Sequence, residues 1–131
     1  RTIDLADFPV SAQCNRVAVE DGHTESVSIK LAKKTTAAEI ADVLRNFSGI
    51  PQQLQLPSAP EKPYIVMDAP DRPQPRFDVN RSKGMATCVG RIRPCSIFDF
   101  KLTLMGHNTV RGAAGASILN AELLKAQGFL E

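Results

Sequence analysis

The chain has 131 residues, 43% of them hydrophobic and 23% charged, which predicts one compact globular domain with a modest core and excludes a disordered chain. The formal net charge is only +2 and the basic residues are spread along the chain, so we expect no nucleic-acid partner. No apolar run approaches the roughly 18 residues of a membrane span, and no signal peptide is recognisable, so we expect no membrane partner and a soluble, cytoplasmic protein.

The first predicted element is a β-hairpin. Residues 9–19 have strand-like character, and residues 25–31 alternate between apolar and polar side chains. Asp21 and Gly22 lie between them and are typical of a tight turn, because glycine adopts positive φ without a steric penalty. This hairpin would carry Arg16 and His23 on its adjoining arms.

Arg16 and His23 are the candidate site residues of this hairpin. A histidine exchanges protons readily near neutral pH, and the planar fork of an arginine binds a carboxylate through two hydrogen bonds, so the pair suits a small acidic substrate. Two ordinary interpretations compete, a solvated turn histidine and an arginine that covers the sheet. A two-residue loop would place the two side chains on one face and a three-residue loop on opposite faces, and both registers stay open.

The next element is a predicted helix. Thr36 and Glu39 have the spacing of a capping box, in which each residue hydrogen-bonds the backbone of the other. Gly49 and Pro51 predict where the helix ends. Between these signals, apolar side chains recur at helical spacing, at Ile40, Val43, Leu44 and Phe47.

The remaining elements complete an α+β fold. Most of the prolines fall in residues 51–80, which predicts a stiff connection with one short strand at 64–67. Residues 85–93 and 96–106 predict a second hairpin, and residues 111–127 predict a final helix. We therefore expect a mixed, mostly antiparallel sheet with helices packed on one face.

Other motifs give weaker signals. Asn108 precedes a run of small residues at 112–116 whose spacing is not that of a dinucleotide-binding loop, so tight helix packing is the preferred interpretation. Cys88 falls in a predicted buried strand, Cys14 has no neighbouring base, and neither they nor Cys95 have metal-site spacing. We expect no metal, no disulfide framework and no nucleophile among these thiols.

Six segments taken together resemble one enzyme family over essentially the whole chain. They are similar, in the family's order, to the C-terminal half of aspartate-semialdehyde dehydrogenase in its fungal and archaeal form. The segments are QCNRVAV at 13–19, DGHTE at 21–25, LPSAP at 56–60, DRPQPR at 71–76, VGRIR at 89–93 and HNTVRGAAGA at 107–116.

The resemblance implies a fold, a reaction and roles for three residues. Such enzymes resemble glyceraldehyde-phosphate dehydrogenases, with a Rossmann domain followed by an α+β domain, and they reduce β-aspartyl phosphate with NADPH to aspartate semialdehyde and phosphate on the path to threonine, methionine and lysine. Arg16 would hold the substrate carboxylate, His23 would be the catalytic acid/base, and Asn108 would contact the nicotinamide of the NADP cofactor.

The departures from the family imply that the chain is a part of such an enzyme. The Pro-Asn-Cys segment of the nucleophile and the Rossmann phosphate loop are absent, and the chain begins at Arg1 rather than at a methionine. We therefore expect residues 1–131 to be a C-terminal catalytic and dimerisation domain fragment that is inactive alone and forms a homodimer or homotetramer through the sheet face. The alternatives are a non-catalytic dimerisation or interaction module and a small enzyme that uses Cys14.

Overall fold

A four-stranded sheet organises the structure, a computed structural model that describes residues 11 and 13–130. The strands lie in the order β1-β4-β3-β2. β4 pairs antiparallel with β1 and β3, while β2 pairs parallel with β3, which confirms the mixed, mostly antiparallel sheet of an α+β fold. The strands are β1 (His23–Ile29), β2 (Tyr64–Met67), β3 (Thr87–Pro94) and β4 (Phe100–Gly106).

The first predicted hairpin is wrong. β1 pairs with β4, so that His23 lies opposite Gly106 and Ile29 opposite Phe100. Residues 13–22 form no strand, and residues 9, 10 and 12 of the predicted strand lie outside the described residues. The physical reason is that the apolar alternation of β1 is satisfied by β4, a distant strand, rather than by the segment before the turn. The question of the hairpin register therefore disappears.

The predicted capping box is confirmed at the start of α1 (Ala37–Asn46). The Glu39 N–H donates to Thr36 Oγ1 at 3.2 Å, and the Thr36 N–H donates to the Glu39 carboxylate at 2.7 Å. These bonds satisfy backbone donors that the first helical turn leaves free. α1 packs against β2 and β3. The ring of Phe47, at the C-terminal cap of α1, packs edge-on against the ring of Tyr64, with 5.3 Å between the ring centroids.

The proline-rich connection contains more regular structure than predicted. Strand β2 has the predicted bounds, but two short helices flank it, α2 (Ile50–Gln53) and α3 (Pro75–Asp78). Each has a proline in its first turn, where the missing N–H costs no hydrogen bond. The predicted final helix is confirmed as α4 (Gly115–Ala126), which follows a π-helical turn (Val110–Ala114).

The predicted β3–β4 pairing is confirmed, but the ladder is interrupted. The register shifts between Gly90 and Arg93, and Arg91 has a left-handed φ of 56° at this irregularity. A Cβ atom on Gly90 would lie 2.3 Å from the carbonyl oxygen of Arg72. The loop before α3 therefore lies directly on the sheet at a position that only glycine permits.

Two hydrophobic clusters hold the elements together. The first joins Val79, after α3, to Cys88 and Met105 of the central strands. The second joins Leu56 and Met85 to Leu119 of α4. Because cross-strand partners share a face, the first cluster lies over one end of the sheet and places α3 against the strands there.

A buried carboxylate fixes the position of α3. The Asp78 side chain is 1% exposed and accepts hydrogen bonds from Arg72 through two nitrogens, from Arg81 Nε at 3.0 Å and from the Gln74 N–H at 2.8 Å. The Arg72 bonds, with those of Gln74 and Arg81, hold the pKa of the Asp78 carboxyl well below its usual range despite burial. The carboxylate is thus fully paired inside the fold.

We predict that Asp78→Asn lowers the free energy of unfolding by about 2 kcal/mol at pH 7, because it removes the buried negative charge that accepts hydrogen bonds from the partly exposed guanidinium groups of Arg72 and Arg81. A carboxylate with a depressed folded pKa stabilises the fold above its unfolded pKa of about 3.9, and that contribution is lost as the pH falls below it. The difference between wild type and Asp78→Asn, measured by urea unfolding of the chain, should therefore shrink between about pH 5 and pH 2.

Asp68→Asn is the matched control, because the Asp68 side chain is 85% exposed and pairs with Arg45 at the surface. It should change stability by less than about 1 kcal/mol at either pH. An Asp78→Asn deficit that is as large at pH 2 as at pH 7 would show that the ion pairs are not its source.

Candidate functional site

A cavity at one end of the sheet contains two of the three predicted site residues. It has a volume of about 320 Å³ and lies where β1 begins and β4 ends. His23 and Asn108 both line it, together with His107, Glu25 and Arg111. Imidazole, amide, guanidinium and carboxylate groups therefore converge on one space, as in sites that bind polar ligands.

His23 is held in this cavity by its backbone. It is the first residue of β1, it pairs with Gly106, and its side chain is exposed. The preceding residue, Gly22, is buried and has a φ of +111°. A Cβ atom there would lie 3.2 Å from Pro75 Cβ of α3, so only glycine lets the chain enter β1 at this point.

Asn108 is connected directly to that entry. Its Oδ1 atom accepts the Gly22 N–H at 2.9 Å, across 86 residues of sequence. A backbone N–H only donates, so the atom that faces it must be the carbonyl oxygen of the amide. The same side chain carries an NH₂ group, which is a donor.

His107 was missed by the sequence analysis. It is 8% exposed, and its Nδ1 atom lies 3.3 Å from the Thr109 N–H and 3.4 Å from the Val110 N–H. The ring therefore accepts from free backbone donors at the start of the π-helical turn, as a capping side chain does. A histidine four residues before a predicted helix, at 107, is the signal that could have identified it.

Arg16 does not line the cavity that contains His23. It is exposed and belongs to the segment 13–22, which forms no strand. That segment runs towards a second cavity of about 400 Å³, bounded by residues 18–21 and by Arg76 of α3. The structure thus brings His23 and Asn108 together and leaves Arg16 on a neighbouring surface.

The run of small residues after Asn108 has two parts. Gly115 packs tightly, since a Cβ atom there would lie 2.4 Å from Met85 Sδ. Residues 112–114 are exposed, and Gly112 lines the His23 cavity. Tight packing therefore explains Gly115, whereas Gly112 leaves the cavity accessible.

The three thiols lie outside the cavity. Cys88 is fully buried, as predicted, and burial, followed by the nearby Asp78, raises the pKa of its thiol to about 11. Hydrogen bonds from the Phe98 and Ile97 backbones lower the pKa of the half-buried Cys95, and Cys14 is exposed. None of these positions places a thiol beside His23.

Neither a metal cluster nor a membrane-spanning helix occurs in the part of the chain that the structure describes. Across residue 11 and residues 13–130, no cluster of three histidine, cysteine or acidic side chains could hold a metal ion. In that same part of the chain, every helix is too short or too polar to cross a bilayer.

Comparisons with known proteins identify relatives of this chain. Residues 1–111 match the family model described as semialdehyde dehydrogenase, dimerisation domain. The chain is 53% identical over 121 residues to an aspartate-semialdehyde dehydrogenase of Methanothermobacter thermautotrophicus, covering 91% of this chain. It is 51% identical over 130 residues to that of Schizosaccharomyces pombe, covering 97% of this chain.

A solved structure has the same fold. The crystal structure of aspartate semialdehyde dehydrogenase with NADP from Candida albicans superposes with a TM-score of 0.76 at 43% identity, over 84% of this chain and 31% of that one. The chain also spans only 35% and 36% of the length of the two relatives above. It therefore corresponds to about a third of each of these proteins.

Proposed function

The chain belongs to the semialdehyde dehydrogenase family through its dimerisation domain, and from this premise we propose that it supplies the substrate-binding and acid/base side chains of an NADP-dependent aspartate-semialdehyde dehydrogenase. The observation that carries the proposal is the shared cavity of His23 and Asn108. The reaction proposed is the reduction of β-aspartyl phosphate to aspartate semialdehyde with release of phosphate.

His23 is the proposed acid/base. Its exposed ring at the head of β1 is open to the cavity, and its backbone is fixed by strand pairing and by the buried Gly22. In this proposal it accepts the proton of the attacking thiol as that thiol displaces phosphate from the acyl group, and it returns the proton when the thiol is released. A group with such a role needs an accessible ring on a rigid backbone.

Arg16 is the proposed anchor of the substrate carboxylate. It is exposed, so its guanidinium is available for two parallel hydrogen bonds to a carboxylate. Its location outside the His23 cavity suits a residue that holds the end of the substrate remote from the reacting carbonyl. Binding energy from that end helps to orient the reacting group.

Asn108 is the proposed contact for the nicotinamide. Its free NH₂ group can donate to a carboxamide oxygen, and the exposed Gly112 beside it allows a flat ring to approach closely. NADPH supplies the hydride of the reaction when it is bound. The Candida albicans relative with NADP supports the same cofactor for this family member.

The thiol and the nucleotide-binding domain are, in this proposal, supplied by the rest of a longer enzyme. The chain covers about a third of its relatives, 35% in the Methanothermobacter thermautotrophicus case, and no cysteine lines the cavity that contains His23. We accordingly propose residues 1–131 as the C-terminal catalytic and dimerisation part, without activity of its own. Substrate turnover requires the thiol.

Self-association through the sheet is the second part of the proposal, and the family's dimerisation domain supports it. On one face of β1, Thr24, Ser26 and Ser28 are all exposed. The partners of the last two on β4, Thr103 and Lys101, are half-buried. This surface continues the sheet beyond the part covered by α3, and a second copy of the chain packed on it would form a homodimer or a homotetramer.

We predict that His23→Gln in the complete enzyme lowers kcat at least ~100-fold, because the variant keeps a polar side chain but cannot carry the proton. Steady-state kinetics with β-aspartyl phosphate measure this. Glu25→Gln, two residues along the same strand and in the same cavity, should change kcat less than ~3-fold. Equal losses in both variants would contradict a proton-transfer role for His23.

We predict that Arg16→Lys raises KM for the acyl substrate ~10-fold or more, because an ammonium group cannot reproduce the two parallel hydrogen bonds of a guanidinium. The matched control is Arg93→Lys, since Arg93 lies at the opposite end of the sheet from His23. Its KM should equal that of wild type. An Arg16→Lys enzyme with unchanged KM and kcat/KM would remove Arg16 from the substrate site.

We predict that Ser26→Arg weakens self-association of the complete enzyme at least ~10-fold, because it places a bulky charge in the proposed interface. Sedimentation velocity over a dilution series measures the change. Ser48→Arg is the control, since Ser48 is exposed in the loop after α1. Unchanged association of Ser26→Arg would locate the interface elsewhere.

A further inference from the structure

We infer that Asn108 is a positioning residue for His23, in addition to any contact with the cofactor. The inference rests on the proposed function, because it assigns the device that fixes the proposed acid/base. Its structural basis is the hydrogen bond from the Gly22 N–H to Asn108 Oδ1, at 2.9 Å.

Strand pairing does not extend to Gly22, the residue before His23. The pairing of β1 with β4 begins at His23 and Gly106, so regular strand pairing fixes His23 only from its C-terminal side. On the N-terminal side the chain leaves the sheet at Gly22. The Asn108 amide supplies a bond there, and it comes from the loop that directly follows β4.

Gly22 transmits this restraint to His23. Gly22 is buried, and a Cβ atom on it would lie within 3.5 Å of atoms of Pro75, Met105 and Val79, so its surroundings are already closely packed. A buried N–H without an acceptor is unfavourable, and the chain would move to satisfy it. Any such movement displaces the next residue, whose exposed side chain has no core packing to hold it.

Asn108 is itself fixed from the other side. His107, the preceding residue, is buried and accepts from the backbone N–H groups of Thr109 and Val110. Gly84 packs on the His107 ring, where a Cβ atom would lie 2.9 Å from Cδ2. The amide of Asn108 therefore projects from an anchored loop. Its Oδ1 atom holds Gly22, and its NH₂ group is the donor proposed above for the cofactor.

Two nearly isosteric substitutions in the complete enzyme separate these purposes. Asn108→Asp keeps an oxygen acceptor for Gly22 and loses the NH₂ donor, whereas Asn108→Leu keeps the shape and loses both. Both variants lose the proposed cofactor contact, and only the leucine variant also loses the acceptor for the Gly22 N–H. Positioning therefore predicts that the pH-independent plateau of kcat is ~10-fold or more lower in Asn108→Leu than in Asn108→Asp. The plateau is compared because a new charge shifts the pH midpoint without moving the plateau.

The second readout is hydrogen–deuterium exchange of the Gly22 amide. A general loss of stability would accelerate exchange at many amides, whereas loss of the Asn108 bond should accelerate it at Gly22. Exchange of the Gly22 amide should accelerate at least ~10-fold in Asn108→Leu and remain at the wild-type rate in Asn108→Asp. Asn108→Ser, whose side chain is too short to reach Gly22, replaces the leucine variant if the latter does not fold. KM for NADPH, measured in the same variants, reports the cofactor contact separately.

Equal kcat plateaus in the aspartate and leucine variants, or unchanged Gly22 exchange in the leucine variant, would overturn the inference. These outcomes differ from failure of the proposed function. If His23→Gln retains full activity, the acid/base proposal fails, while the exchange at Gly22 still tests whether Asn108 holds the entry to β1.

Discussion

The buried carboxylate of Asp78 is the constraint on which the arrangement of the described residues depends. It collects two guanidinium groups and a backbone N–H within one short segment, and it thereby gives the proline-rich connection a single conformation. Arg72, one of its partners, lays its carbonyl oxygen on Gly90 of the sheet. Val79, which follows Asp78 in the sequence, packs in the core with Cys88 and Met105. An ion-pair network thus holds in place a segment whose prolines provide few backbone donors.

The same segment reaches the candidate site through Gly22. Pro75 of α3 and Val79 pack around this glycine, whose N–H is held by Asn108 from the loop after β4. The position of His23 is therefore decided by two parts of the chain, α3 and the loop after β4. A site that depends on such contacts gains precision from the rigidity of its supports.

Local signals in the sequence predicted the elements whose stabilising contacts are themselves local. The capping box of α1 acts across three residues, and the last two strands are close in sequence, so both were identified. The turn signal at Asp21 and Gly22 misled because the partner of β1 is β4, and pairing with a distant strand is not visible in a short pattern. The positive φ of Gly22 was foreseen, but its cause is burial against α3 rather than a hairpin. His107 escaped notice because its role depends on a backbone turn that only the folded chain displays. The resemblance to a family, by contrast, indicated both His23 and Asn108 as site residues, although no pattern in the sequence shows that they line one cavity.

The pairing of β1 with β4 also dictates an order of folding. During synthesis, β1 leaves the ribosome long before its only pairing partner among the described strands, so the apolar alternation of β1 has no strand to bury it until residues 100–106 have emerged. The β3–β4 pair closes over a short loop, and β1 must then join an edge that already exists. The hydrogen bond of the Gly22 N–H forms later still, because its acceptor is Asn108. The cavity that contains His23 accordingly forms only after residue 108 has emerged, and a nascent chain that stalls before residue 100 would display an unpaired β1 to chaperones and to other chains.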